Sequence, residues 1–230
     1  MEDNKLSEKT QKVLRRIRKQ FKVGFSPLKI QDLQLDILQV TDLEHLLGGK
    51  DPFEDVSEFP FWVKLWEASM VLAHVMASMT AQGRQRLLEL GAGMAAPGLV
   101  AAARGYEVTL SDYEPHILDF QRVSAAVNGF DTIDFRMIDW LKPPEMPRFD
   151  RIIGAEILFR DEFFEPLLDI FKNYLLDDGE IYLAHDMRRR SVPEFLDLAQ
   201  KDFKIAVSKT AMQNEDGEKI TILINRLTKK

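Results

Sequence analysis

Beyond Gly83, short apolar runs and helical patterns take strict turns, and no other feature of the chain restricts its fold as strongly. The runs at residues 86–90, 107–111, 133–138, 151–155 and 180–184 read as strands, and the segments at 97–104, 115–127, 162–176 and 192–201 read as helices. Parallel neighbours need a crossover between them, and a helix is the usual one. The order therefore predicts βαβ units, a parallel sheet and an α/β fold. The chain closes differently, because residues 203–209 and 219–225 are separated by a short loop containing Asp216-Gly217, which predicts an antiparallel hairpin. The punctuation agrees: Pro115 opens a helix, Asn128-Gly129 follows its end, Asp177-Asp178-Gly179 reads as a turn, and Ser191 with Glu194 reads as a capping box.

The stretch before Gly83 is less regular. Ser7 can cap a helix in which Val13, Ile17 and Phe21 recur at helical spacing among basic residues. Leu33, Leu35 and Ile37 alternate as in a short strand, and Gly48-Gly49-Lys50-Asp51-Pro52 reads as a loop. Pro60 precedes a helical pattern that places Leu65, Leu72, Met76 and Met79 on one face and stops at Gly83. We expect residues 1–58 to form a basic helix and annex, and residues 59–230 to form the main domain.

Size and charge narrow the classes. A chain of 230 residues, 45% of them hydrophobic, can bury one sizeable core. It has no cysteine, which removes disulfides, thiolate metal sites and thiolate nucleophiles, and the scattered His74, His116 and His185 predict no metal site. Residues 1–22 carry eight Lys or Arg against three acidic residues, a net of +5, which leaves −11 for the rest of a chain whose total is −6. An acidic body argues against a nucleic-acid partner, while the basic leader can touch an acidic protein surface or simply form a solvated helix face. No window approaches the roughly 20 apolar residues of a membrane span, so no membrane contact and a cytoplasmic location are expected.

The sharpest motif sits where the first core strand turns into its helix: Leu88-Glu89-Leu90-Gly91-Ala92-Gly93-Met94-Ala95-Ala96-Pro97-Gly98. Glycines there let a ligand approach the backbone, and the helix start beyond favours an anionic group. A dinucleotide fingerprint would place its third glycine at position 96, where this chain has Ala96. Glu89, two residues before Gly91, is instead a feature of S-adenosylmethionine sites. Asp112 ends the next strand, 21 positions past Gly91, where a carboxylate can accept both ribose hydroxyls of an adenosine, and Tyr113 stands beside it. Asp139 and Trp140 follow the third strand, the carboxylate suited to an exocyclic amine and the indole to a flat apolar wall for the base. Glu156 lies at the end of a buried strand, where an unused carboxylate would be costly.

From about residue 59 to 225 the chain resembles methyltransferase family 16, the seven-β-strand group that includes many protein-lysine methyltransferases. The matching blocks are Lys64-Leu65-Trp66-Glu67-Ala68, the turn from Glu89 to Gly98, Ser111-Asp112, Asp139-Trp140, and Gly154-Ala155-Glu156-Ile157-Leu158-Phe159. The resemblance implies a Rossmann-like sheet of seven strands with an antiparallel C-terminal hairpin. It also implies S-adenosylmethionine as cofactor, a protein substrate, and a cofactor site lined by Trp66, Gly91, Ala92, Gly93, Asp112, Trp140 and Ala155. The family's Asp-x-x-Tyr after the fourth strand is here Glu156 and Phe159, and its Glu-x-Arg after the fifth is Asp186-Met187-Arg188. The resemblance thus implies Glu156, Phe159 and Asp186 on the acceptor side, with lysine Nε as the expected acceptor.

Two alternatives stay open at this point. One is a small-molecule or nucleic-acid methyltransferase, although the Pro-Pro-aromatic turn used for base amines is absent after Ile153 and Pro143-Pro144 follow the third strand instead. The other is a scaffold that binds the cofactor without turnover.

Overall fold

The computed structural model describes residues 6–47, 60–214 and 217–230. The loop expected at residues 48–52, and Asp216 of the closing hairpin, lie outside the described residues.

The strand-and-helix alternation folds as expected into a seven-stranded sheet. Strands β3 (Arg86–Glu89), β4 (Glu107–Asp112), β5 (Asp134–Met137), β6 (Phe149–Ala155) and β7 (Leu175–Asp186) are followed by β8 (Phe203–Gln213) and β9 (Lys219–Lys229). The spatial order is β5-β4-β3-β6-β7-β9-β8. Strands β3 to β7 pair in parallel. Strand β9 inserts antiparallel between β7 and β8. The order reverses between β3 and β6, which makes the carboxyl ends of β3, β4 and β6 the place for a ligand.

Helices cover both faces, as a mostly parallel sheet requires. Leu87, Leu110, Ile153 and Ala184 point to one side, where α3 (Glu67–Ala77), α4 (Ala96–Ala103) and α5 (Pro115–Val127) pack. Leu88, Ile152, Ile181 and Leu183 point to the other, under α6 (Phe164–Tyr174) and α7 (Ser191–Ala199). The N-terminal elements are α1 (Glu8–Arg18), the hairpin of β1 (Val23–Ile30) and β2 (Leu33–Val40), and α2 (Leu43–Leu47). Leu14, Ile17, Ile30 and Ile37 are buried in the same apolar cluster as α3 to α5, so the annex shares the core of the main sheet.

Several local expectations change. Ser7 does cap α1, accepting from the Thr10 N–H at 3.2 Å, and Val13, Ile17 and Phe21 pack on the core as expected, but Leu14 is the more deeply buried partner of Ile17 and Phe21 lies beyond the helix end. Strand β1 was not expected, because Gly24, Ser26 and Pro27 disguise it; pairing with β2 decides it. Helix α3 begins at Glu67 after a 3-10 turn over Phe61–Val63 and ends at Ala77, before Gly83. The Asp177-Asp178-Gly179 stretch lies within β7, where a register shift against β6 absorbs it. Ser191 is the first helical residue rather than the cap, and its hydroxyl donates to the Leu158 carbonyl.

Candidate active site

The glycine turn is held from below. After β3 the Leu90 N–H donates to the Ile153 carbonyl at 2.9 Å and the Ala92 N–H to the Ser111 carbonyl at 2.8 Å, which ties the turn to both neighbouring strands. Gly91 and Gly93 adopt φ of +57° and +51°, and Ala95, at the start of α4, adopts +60°. A side chain pays a steric cost in that region, so the turn is specified by the tertiary bonds around it as well as by glycine. A Cβ added at Gly98 would lie 2.4 Å from a Glu89 oxygen and 2.3 Å from Leu110, so only glycine fits over the end of β3.

Glu89 serves this turn from beneath. Its carboxylate is 2% exposed and accepts the Gly98 N–H at 2.8 Å, so the side chain faces the inside of the turn and not its open mouth. Burial pushes its pKa up to about 8. Asp112 ends β4 and faces the turn: one carboxylate oxygen accepts the Gly93 N–H at 2.9 Å and the other the Tyr113 N–H at 2.8 Å. Burial raises the Asp112 pKa and these N–H groups oppose the rise. The Glu114 N–H also reaches this carboxylate, which with its four acceptor directions can still take a ligand hydroxyl. Tyr113 is 62% exposed beside it.

Trp140 closes the far side. Its ring lies 3.4 Å from a Cβ added at Gly91, with Ile157 at 3.1 Å, so any residue other than glycine there would intrude between the indole and the turn. Asp139 accepts the Leu141 N–H at 3.0 Å, an Asx turn that presents Trp140. The Trp66 indole donates to the Phe61 carbonyl at 2.6 Å, and Trp62 also borders the glycine turn, its backbone 3.8 Å from a Cβ added at Gly93. The Trp62 ring packs on His116 and Phe120, each at 5.0 Å. Gln121, buried on α5, donates to the Gly93 carbonyl at 2.9 Å. Sequence reading missed both Trp62 and Gln121. A buried-looking Gln on the apolar face of a helix was the only signal for the second.

A second group of the expected site residues stands at and after the ends of β6 and β7. Ala155 ends β6, and Glu156 leaves it at φ +56° with its N–H donating to the Ala184 carbonyl at 2.9 Å. This non-glycine residue in the left-handed region is costly, and such residues persist where the surroundings over-determine them, often at functional sites. One Glu156 oxygen accepts the Asp186 N–H at 2.6 Å, and the other is paired with the Arg189 guanidinium. Burial raises the Glu156 pKa, against the pull of Arg189. Asp186 itself is engaged by Arg188 at 2.7 Å, which holds its pKa below the usual carboxylate range. Phe159 is 49% exposed, and its ring stands 6.1 Å from Trp140 and 5.5 Å from Phe163. The structure therefore gathers Gly91, Ala92, Gly93, Asp112 and Trp140 around one turn. It places Glu156 directly after β6, Asp186 at the end of β7, and Phe159 in the loop after β6 with its ring toward Trp140. Among the described residues no group of three His, Cys, Asp or Glu is arranged to hold a metal ion.

A family model described as lysine methyltransferase matches residues 53–202. The chain belongs to that family. It is 29% identical over 148 residues to a protein N-lysine methyltransferase, METTL21A, of Xenopus tropicalis, covering 62% of this chain and 68% of that protein. It is 28% identical over 152 residues to a histidine protein methyltransferase 1 homolog of Dictyostelium discoideum, covering 62% of this chain and 48% of that protein. Among solved structures, an N-methyltransferase NodS of Bradyrhizobium japonicum in complex with S-adenosyl-L-homocysteine matches with a TM-score of 0.57 at 18% identity, covering 82% of this chain and 96% of that one. That likeness establishes the Rossmann-like methyltransferase fold. The matched residues of the lysine methyltransferase family contain the glycine turn, Asp112, Trp140 and Glu156, so the site stands inside the family region.

Proposed function

We propose that this protein transfers the methyl group of S-adenosylmethionine to a lysine side chain of a protein substrate. The observation that carries the reading is the pairing of two strand-end sites. A glycine turn with a ribose-type carboxylate, Asp112, stands at the carboxyl ends of β3 and β4, and a largely buried carboxylate, Glu156, stands at the carboxyl end of the adjacent β6.

The residues present fit the cofactor. Asp112 is half-buried and can accept a ligand hydroxyl, Gly91 and Gly93 present bare backbone, Trp62 borders the turn, and Trp140 supplies a flat wall. The sulfonium supplies an electrophilic methyl group, so the protein's share is proximity and in-line orientation. A lysine nucleophile, with an unperturbed pKa of about 10.4, must lose a proton. Glu156, partly desolvated and paired with a cation in the free protein, is suited to hold an arriving ammonium and to pass its proton outward. Phe159 brings no hydroxyl, so orientation of the amine falls to Glu156 and the ring faces.

The partner is a protein with an acidic surface, met by the exposed basic residues of α1 such as Lys12, Arg15 and Lys19. No helix among the described residues is long and apolar enough to cross a membrane, which suits a cytoplasmic location. Incubation with isotopically labelled S-adenosylmethionine and a cell extract, followed by mapping of the labelled atom, tests the reading. Label on lysine Nε of a protein supports it. Label on histidine, on a nucleic acid or on a small molecule replaces the acceptor, and bound cofactor without release of adenosylhomocysteine makes the protein a scaffold.

A further inference from the structure

Arg189 already occupies the position that an acceptor cation would need. Glu156 is anchored on three sides: its own N–H is held by the Ala184 carbonyl at 2.9 Å, its backbone is fixed at φ +56°, and one carboxylate oxygen is held by the Asp186 N–H at 2.6 Å. The remaining oxygen is paired with the Nε of Arg189. The carboxylate therefore cannot swing out to meet a substrate; what can move is its partner. Arg189 stands in the short connection between β7 and α7, its side chain is 33% exposed against 17% for Glu156, and the neighbouring Asp186 is already taken by Arg188. A second cation placed beside Glu156 with Arg189 in position would meet a like charge a few ångströms away in a poorly screened site.

We propose that Arg189 is a specificity-determining gate: an intrachain stand-in for the acceptor's ammonium that must be displaced before transfer. The proposal rests on the reading that Glu156 faces the acceptor. A cationic lysine can replace Arg189 at Glu156 and release it to solvent. A neutral imidazole offers no charge to take its place, so the pair discriminates lysine from histidine.

The test uses the full chain loaded with adenosylhomocysteine and takes n-butylammonium as the probe for a lysine side chain. The arginine Nε–H signals are followed by nitrogen-15 NMR at neutral pH, with n-butanol as the uncharged control. Displacement moves the Arg189 Nε–H signal to the position of a solvated guanidinium with butylammonium and not with butanol. In Glu156→Gln that signal starts at the solvated position. In Arg189→Gln, butylammonium binds on the order of tenfold tighter, the scale of one charge-assisted hydrogen bond, read from the Trp140 ring signals. An Arg189 signal that stays put through the butylammonium titration overturns the gate, whether or not Trp140 responds. So does an Arg189→Gln protein that is folded and binds the probe no better than the unaltered chain. Labelling of extract proteins by Glu156→Gln separates the two ideas: undiminished lysine labelling removes the acceptor reading and the gate together. Lost labelling with an unmoved Arg189 signal removes the gate alone.

Discussion

The two halves of the site are made of different material. On the β3–β4 side, the glycine turn is fixed by backbone bonds from Ala92, Gly93 and Gly98 to Ser111, Asp112 and Glu89, all within a well-buried frame. On the β6–β7 side, the same strand ends carry an ion pair, Glu156 with Arg189, and half-exposed rings such as Phe159. The first half is shaped before any ligand arrives; the second is held by contacts that a ligand can exchange. Such a division suits an enzyme that keeps one cofactor and discriminates among acceptors, because preorganised backbone gives affinity and exchangeable side chains give selectivity.

The comparison breaks most visibly at Glu156. Glu156→Gln should leave cofactor affinity near that of the unaltered protein and lower kcat/KM by roughly 10²–10⁴. Steady-state kinetics with the identified substrate checks this, and normal turnover would make the carboxylate structural. Asp112→Ala acts on the other half. It should weaken S-adenosylmethionine binding by about 1.5–3 kcal/mol, the range for lost bonds to a charged group, and calorimetry on the folded variant decides it. Gly98→Ala should lower stability by about 1–3 kcal/mol through overpacking, seen as a lower denaturant midpoint, since its Cβ would press on Glu89 and Leu110. A Gly98→Ala protein of undiminished stability would mean that the turn is looser than its bonds imply.

Glu89 gives a finer test, in pH. Its carboxyl binds a proton more readily in the folded protein, at about 8, than at the ordinary 4.5, so the folded state holds more protons across that window and its stability falls as pH rises through it. Glu89→Gln should flatten this fall while its amide oxygen still accepts the Gly98 N–H, and thermal unfolding across the same window reads the difference. The smallest effect is expected at the basic helix. Neutralising Lys12, Arg15 and Lys19 should slow association with the true substrate at low salt and flatten the salt dependence, without altering the fold, because these side chains are exposed. Unchanged salt dependence would reduce α1 to the Leu14–Ile17 stripe that packs it.

The sequence by itself determined the architecture and the place of the glycine turn within it. Alternating strand and helix leaves few ways to build a sheet, and the Gly91-Ala92-Gly93 turn and Asp112 follow their strands at spacings that put them at adjacent carboxyl ends. These features are local in the chain, so periodicity and motif spacing reach them. What only the tertiary structure decided joins residues far apart. Glu156 and Arg189 are 33 positions apart and meet because β6 and β7 pair in register. The Trp62 backbone comes to border the glycine turn through the 3-10 turn that precedes α3, and Lys-Leu-Trp spacing carries no sign of that turn. Strand β1 forms despite Gly24 and Pro27 because β2 supplies its partner. Side-chain pairing across strands depends on register and burial, which the chain acquires only on folding, whereas a turn after a strand is written in neighbouring residues.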